Sequence, residues 1–179
     1  FAREFKAIFG RDSGGLVRPY RCDDAETIVV ALGSVVGTIQ DVVDELRDRG
    51  VKIGVLSIKS FRPFPLVEVR DVLQHAKRVV VLEKTLAVGI GGVMSMNVRM
   101  ALSHVALKGY PVIAGLGGRP ITKASLHRLL ADAMADVLEP LTFLDLDQKT
   151  VDRALERERA TRASGPIAEG ILRDLGVVG

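Results

Sequence analysis

Tryptophan is absent from this chain of 179 residues, and Phe and Tyr together give an aromatic content of only 4%. So few rings leave little on which bases could stack. The 25 Lys plus Arg against 22 Asp plus Glu give a net charge of only +3, too thin for a phosphate-tracking surface, so nucleic acid is not an expected partner. Cys22 stands alone, which excludes an internal disulfide and any four-thiolate zinc or iron–sulfur site built from this chain by itself. His75, His104 and His127 lie far apart and none belongs to an H-E-x-x-H pattern, so no metal site is predicted. The longest apolar runs, 28–32 and 79–82, fall well short of the roughly 18 residues that span a bilayer. No stretch has the make-up of a cleaved signal peptide, and a soluble, cytoplasmic protein with no membrane partner is expected.

What the chain does contain is 47% hydrophobic residues, 26% charged residues and 18 glycines without a repeat or a charge block, the make-up of a globular domain. Residues 27–32 form a continuous, β-branched apolar run closed by Gly33-Ser34, the mark of a parallel strand buried on both faces. Residues 38–49 place Ile39, Val42, Val43 and Leu46 on one helical face and acids on the other, with Gly50 as a stop. The same reading gives strands at 51–58, 78–83, 111–116 and 141–146. Helices follow at 66–75, from the Gly-rich 89–92 to about 107, and at 122–138. Strands alternating with helices predict an α/β fold, a mostly parallel five-stranded sheet with helices on both faces. Residues 147–161 read as a charged helix, and 167–178 as a short apolar tail that packs on a partner. Phe1, Phe5 and Phe9 recur at helical spacing with no initiating Met, which suggests the end of a preceding segment over 1–11. The expected organisation is then a domain over 12–146 and a C-terminal helix and tail over 147–179.

Functional groups in such a sheet gather at the carboxyl ends of the strands. The loop 33–38 lacks a G-x-G-x-x-G spacing. The loop 82–92 lacks a Walker pattern, although its glycines permit close backbone approach. Glu83 ends a strand where a general acid or base could stand, but a loop-anchoring or interface carboxylate is the more frequent reading. Arg119 follows Gly115-Leu-Gly-Gly118 and could clamp an anion, or simply sit on a turn. Arg62, held in Phe61-Arg-Pro-Phe-Pro65, is rigidly presented and suits an ion pair between domains or subunits. His104 and His127 fall on predicted helices and read as packing histidines. No nucleophile and base are paired by motif, and Cys22 has no neighbouring histidine.

The ordered set Ala25-Glu-Thr-Ile-Val-Val-Ala-Leu-Gly-Ser34, Lys52-Ile-Gly-Val-Leu, Phe61-Arg-Pro-Phe-Pro65, Val79-Val-Val-Leu-Glu-Lys84 and Gly115-Leu-Gly-Gly118 resembles the pyruvate:ferredoxin oxidoreductase family. More narrowly it resembles the C-terminal part of the alpha subunit, which is similar to the transketolase C-terminal domain. The resemblance covers about residues 10–145. It implies a thiamine-diphosphate enzyme that decarboxylates a 2-oxoacid, pyruvate foremost, to acyl-coenzyme A and passes electrons through [4Fe-4S] clusters to ferredoxin. It also implies that thiamine diphosphate, magnesium and the clusters sit on other domains or subunits. This chain would then carry no catalytic, cofactor-binding or metal-binding residue of its own. Its implied role is as scaffold and subunit interface, with Arg62, Phe64, Glu83 and Arg119 as candidate contacts and an isolated chain without turnover. Two other readings of the residues stay open, a stand-alone phosphate- or nucleotide-binding module and an oligomerisation domain.

Overall fold

A computed structural model describes residues 1–11, 14–160, 171–173 and 175–176. The chain divides into two compact units, Phe1–Asp145 and Leu146–Gly179. The first opens with helix α1 (Ala2–Phe9) and strand β1 (Val17–Tyr20), followed by β2 (Thr27–Leu32), α2 (Val35–Arg47), β3 (Ile53–Ile58), α3 (Leu66–Leu73) and β4 (Arg78–Glu83). Two very short strands come next, β5 (Leu86–Ala87) and β6 (Gly91–Gly92), then α4 (Val93–Ala101), β7 (Lys108–Ile113), α5 (Lys123–Met134) and β8 (Thr142–Phe143).

The sheet runs in the order β1-β3-β2-β4-β7-β8. Strands β3, β2, β4, β7 and β8 are parallel, while β1 pairs antiparallel with β3, Val17 opposite Ile58 and Tyr20 opposite Val55. The α/β class and the mostly parallel sheet are therefore as the sequence predicts, with a sixth strand at the edge. Strand β3 is buried throughout, and β2 and β4 over five of their six residues each, because successive side chains alternate between two cores. Val29, Ala31, Val80 and Leu82 face α2 and α5, whereas Ile28, Val30, Val79 and Val81 face α3 and α4.

Several elements differ from the sequence reading. The added strand β1 carries Arg18 and Pro19, and a proline is tolerated there because an edge strand leaves one side unpaired. Gly54, the second residue of β3, is glycine because the chain after β1 folds across it; a Cβ at Gly54 would overlap the carbonyl oxygen of Arg21, which itself has φ 52°. The glycines at 89–92 do not start a helix. Gly89 and Gly91, both at positive φ, shape the tight β5–β6 hairpin, and α4 begins only at Val93. That helix stops at Ala101, so His104 lies beyond it and is exposed. Pairing in the predicted last strand is limited to Thr142 and Phe143.

The amino ends of the strands are locked by charge. Arg47 donates from Nε to the Ile53 carbonyl at 2.6 Å and from Nη2 to the Arg21 carbonyl at 2.7 Å, and it pairs with Asp24 at 2.7 Å. Lys77 pairs with Glu26 at 2.8 Å. Asp136, just past α5, accepts from Lys108 at 2.6 Å, Tyr110 at 2.8 Å and Arg78 at 3.3 Å. These donors hold its carboxyl far below the usual carboxylate range, Lys108 first and Tyr110 second.

In the second unit, α6 (Gln148–Ala160) starts where Asp147 accepts the Thr150 N–H at 3.2 Å and its hydroxyl at 2.7 Å. Most of the expected apolar tail, 167–170, 174 and 177–178, lies outside the described residues. No helix among the described residues is long and apolar enough to cross a membrane.

Candidate functional site

The strand order reverses between β2 and β4. From β2 the chain passes through α2 to β3 on one side, and from β4 it passes through α4 to β7 on the other. Outside the carboxyl ends of such a pair the two connections diverge and leave a crevice, the usual ligand position in an open α/β sheet. Here the crevice is a cleft of about 460 Å³. Leu32, Gly33, Ser34 and Val35 line it from β2 and the start of α2, and Leu82 to Thr85 from the end of β4. Phe61, Val93, Met94 and Ile121 complete the wall.

Glu83 fixes the shape of this end of the molecule. It is only 8% exposed, and its carboxylate accepts the N–H groups of Met94 at 2.7 Å and Ser95 at 2.8 Å and the Ser95 hydroxyl at 2.7 Å. The carboxylate thus occupies the amino terminus of α4, where backbone donors and the helix dipole favour an anion. Gly92 is glycine for the same reason, since a Cβ there would overlap the Glu83 carboxylate. Glu83 is engaged inside the chain, with its oxygens already spoken for by α4.

Arg62 is exposed, stacks its guanidinium 4.2 Å from the centre of the Phe61 ring, donates to the Phe61 carbonyl at 2.7 Å and reaches Asn97 at 3.4 Å. Phe64 is half-buried and meets Phe61 edge-on at 6.1 Å. Arg119 is exposed and donates to the Asp145 carbonyl at 3.0 Å, across the turn formed by Gly115 to Gly118. Of these, Phe61 and Glu83 line the cleft, Arg62 stacks on Phe61 beside it, and Arg119 is tied to the Asp145 turn. His127 sits half-buried on α5, its Nε2 2.6 Å from Glu45 Oε2 on α2, and Lys123 is 2.9 Å from Glu45 Oε1. Both hold the Glu45 carboxyl below its ordinary value, His127 first.

The hairpin beyond β4 went unread in the sequence as an apolar surface. Val88 is 97% exposed and Ile90 62%, with Leu86, Met96 and Met100 also exposed nearby in sequence. Beneath the hairpin runs a second hollow of about 430 Å³, lined by Met96, Arg99, Pro140, Leu141 and Phe143 as well as the hairpin itself. The alternation Val88-Gly-Ile90-Gly was the available signal, masked by reading its glycines as a helix opening.

Cys22 is half-buried with its Sγ directed at the carbonyls of Val55 at 3.4 Å and Tyr20 at 3.5 Å, and burial pushes its thiol up to about 11. Among the described residues no group of three or more His, Cys, Asp or Glu is placed to hold a metal ion. One shielded thiol does not fit an iron–sulfur cluster.

The model of the pyruvate:ferredoxin oxidoreductase core domain II matches residues 25–126. Pyruvate synthase subunit PorA of Methanothermobacter thermautotrophicus is 42% identical over 128 residues, 72% of this chain and 33% of that protein. The subunit of the same name from Thermotoga maritima is 42% identical over 137 residues, 74% of this chain and 34% of its own length. The chain therefore spans about a third of the curated relatives it matches. A solved structure, the 2-oxoglutarate:ferredoxin oxidoreductase from Magnetococcus marinus, superposes with a TM-score of 0.50 at 15% identity, over 76% of this chain and 22% of that one. That likeness is one of fold.

Proposed function

Because the chain belongs to the pyruvate:ferredoxin oxidoreductase family through its core domain II, we propose that it works as the scaffold and subunit-interface part of a 2-oxoacid:ferredoxin oxidoreductase. The assembled enzyme would oxidatively decarboxylate a 2-oxoacid to acyl-coenzyme A and pass the electrons to ferredoxin. Pyruvate is the substrate we favour, since the relatives described above are named as pyruvate synthase subunits. Thiamine diphosphate, magnesium and [4Fe-4S] clusters would be carried by other domains or subunits. One half-buried cysteine gives this chain no ligand set for a cluster. Thiamine diphosphate supplies the electron sink for decarboxylation; what this domain would supply is placement.

The observation that carries the scaffold role is the β5–β6 hairpin. Two large aliphatic side chains at its tip point away from the domain that makes them, which is costly in water unless another surface covers them. Arg62, Phe64 and Arg119 would extend the contact along the same end of the sheet, and Glu83 would support it from behind by anchoring α4. The domain proper would cover 12–146 and the C-terminal helix and tail 147–179, the tail packing on a partner.

The test is made in the assembled enzyme. Val88→Asp with Ile90→Asp should abolish co-purification of the cluster- and thiamine-carrying parts and, with it, 2-oxoacid- and coenzyme-A-dependent dye reduction. An enzyme that assembles and turns over normally with both substitutions would overturn the interface reading. Normal assembly with a 2-oxoacid other than pyruvate as the best substrate would change only the substrate.

A further inference from the structure

We propose that the cleft between the carboxyl ends of β2 and β4 binds a small phosphate monoester carrying a flat apolar body, with Lys84 as the anion ligand. The proposal does not depend on the reaction of the assembled enzyme.

The size and lining of the cleft come first. About 460 Å³ lies within the roughly 300–1,000 Å³ of small-molecule sites, which are mostly apolar with a few polar groups that fix orientation. Leu32, Val35, Phe61, Leu82, Val93 and Met94 make such a wall, and the polar groups are Ser34, Lys84, Thr85 and Glu83. Glu83 is spent on α4, so what remains for a ligand is two hydroxyls and one ammonium.

Charge decides the sign of that ligand. Lys84 makes no ion pair among the described residues, and neither does Arg62, whose guanidinium stacks on the cleft-lining Phe61. Lysines and arginines at the opposite end of the sheet are, by contrast, paired with Asp24, Glu26 and Asp136. Lys84 is also held in place. Its side chain lies across Gly115, where the backbone has φ 71° and an added Cβ would come within 2.9 Å of Lys84 Cε. A glycine at 115 therefore makes room for the stem of the one cation that lines the cleft. An unpaired ammonium beside the Ser34 and Thr85 hydroxyls, with Arg62 stacked on Phe61 next to the cleft, suits the several acceptor oxygens of a phosphate better than a carboxylate, and Phe61 in the wall gives a planar body an aromatic neighbour.

Isothermal titration of the 179-residue chain with adenosine monophosphate tests this, with adenosine and inorganic phosphate as separate arms. Saturable binding in the range of roughly 10–100 μM is expected, with adenosine and phosphate each at least about tenfold weaker. Lys84→Ala should weaken binding at least about tenfold. Lys84→Gln, which keeps the stem, should do the same while melting at the wild-type temperature. Arg62→Ala should give a smaller loss, and Arg99→Ala, an exposed cation outside this cleft, none. Absence of saturation up to about 1 mM, unchanged affinity in Lys84→Gln, or equal binding of adenosine or of bare phosphate would each overturn the proposal.

Discussion

The two ends of the sheet spend their charged residues in opposite ways. At the amino end, Arg47, Lys77, Arg78 and Lys108 each close onto a carboxylate, and Arg47 also grips two backbone carbonyls. At the carboxyl end, a buried carboxylate is consumed by α4, while Arg62 and Lys84 and the apolar tip of the hairpin are left facing outward. Binding surface is thus concentrated where the chain has not neutralised itself, and holding power where it has.

The sharpest way to break this contrast is at Glu83, a carboxyl-end residue that behaves like the amino end. Glu83→Ala strands the N–H groups of Met94 and Ser95 in a buried place, and urea denaturation should show a loss of about 2–3 kcal/mol. Glu83→Gln, which keeps one acceptor, should lose less. Next comes Arg47→Ala, which removes two bonds to backbone carbonyls, one of them on the buried Ile53, and should cost about 1–2 kcal/mol in the same measurement, with the carboxyl-end cleft unaltered.

A smaller effect is expected at Asp136, and it has a pH signature. Its folded carboxyl titrates below the unfolded one, so the cluster stabilises the fold above the ordinary carboxylate range and loses that contribution as pH falls toward the depressed value. Asp136→Asn should therefore be less stable near neutrality and lose less on acidification, which thermal melts across the acid range would show. The smallest effect belongs to Val88→Ser with Ile90→Ser. Both side chains are largely in water already, so the isolated chain should melt within about 0.5 kcal/mol of wild type even though the same tip is proposed to govern assembly. A large loss of stability there would erase the distinction between the two ends.

The buried strands were legible in the sequence because β2, β3 and β4 must be apolar on both faces, and a run such as 27–32 has few other uses. Strand β1 was not, since Val-Arg-Pro-Tyr has neither alternation nor length and becomes a strand only by pairing with β3. Glu83 was visible as a strand-terminal carboxylate, but its engagement depends on a backbone eleven residues away. Small residues suit a hairpin and a helix start alike, so the glycines of 89–92 could not choose between them. The fit of Lys84 across Gly115 joins positions that no local pattern connects.

Cys22 has a practical consequence. With a thiol raised to about 11 and half-buried, very little of it is thiolate near neutrality, so alkylating reagents meet a nearly silent background. A Val88→Cys substitution would place one reactive, fully solvated sulfur at the hairpin tip. A fluorophore attached there reports its surroundings without first removing the native cysteine, which makes this chain a ready-made single-label probe of whatever comes to rest against that tip.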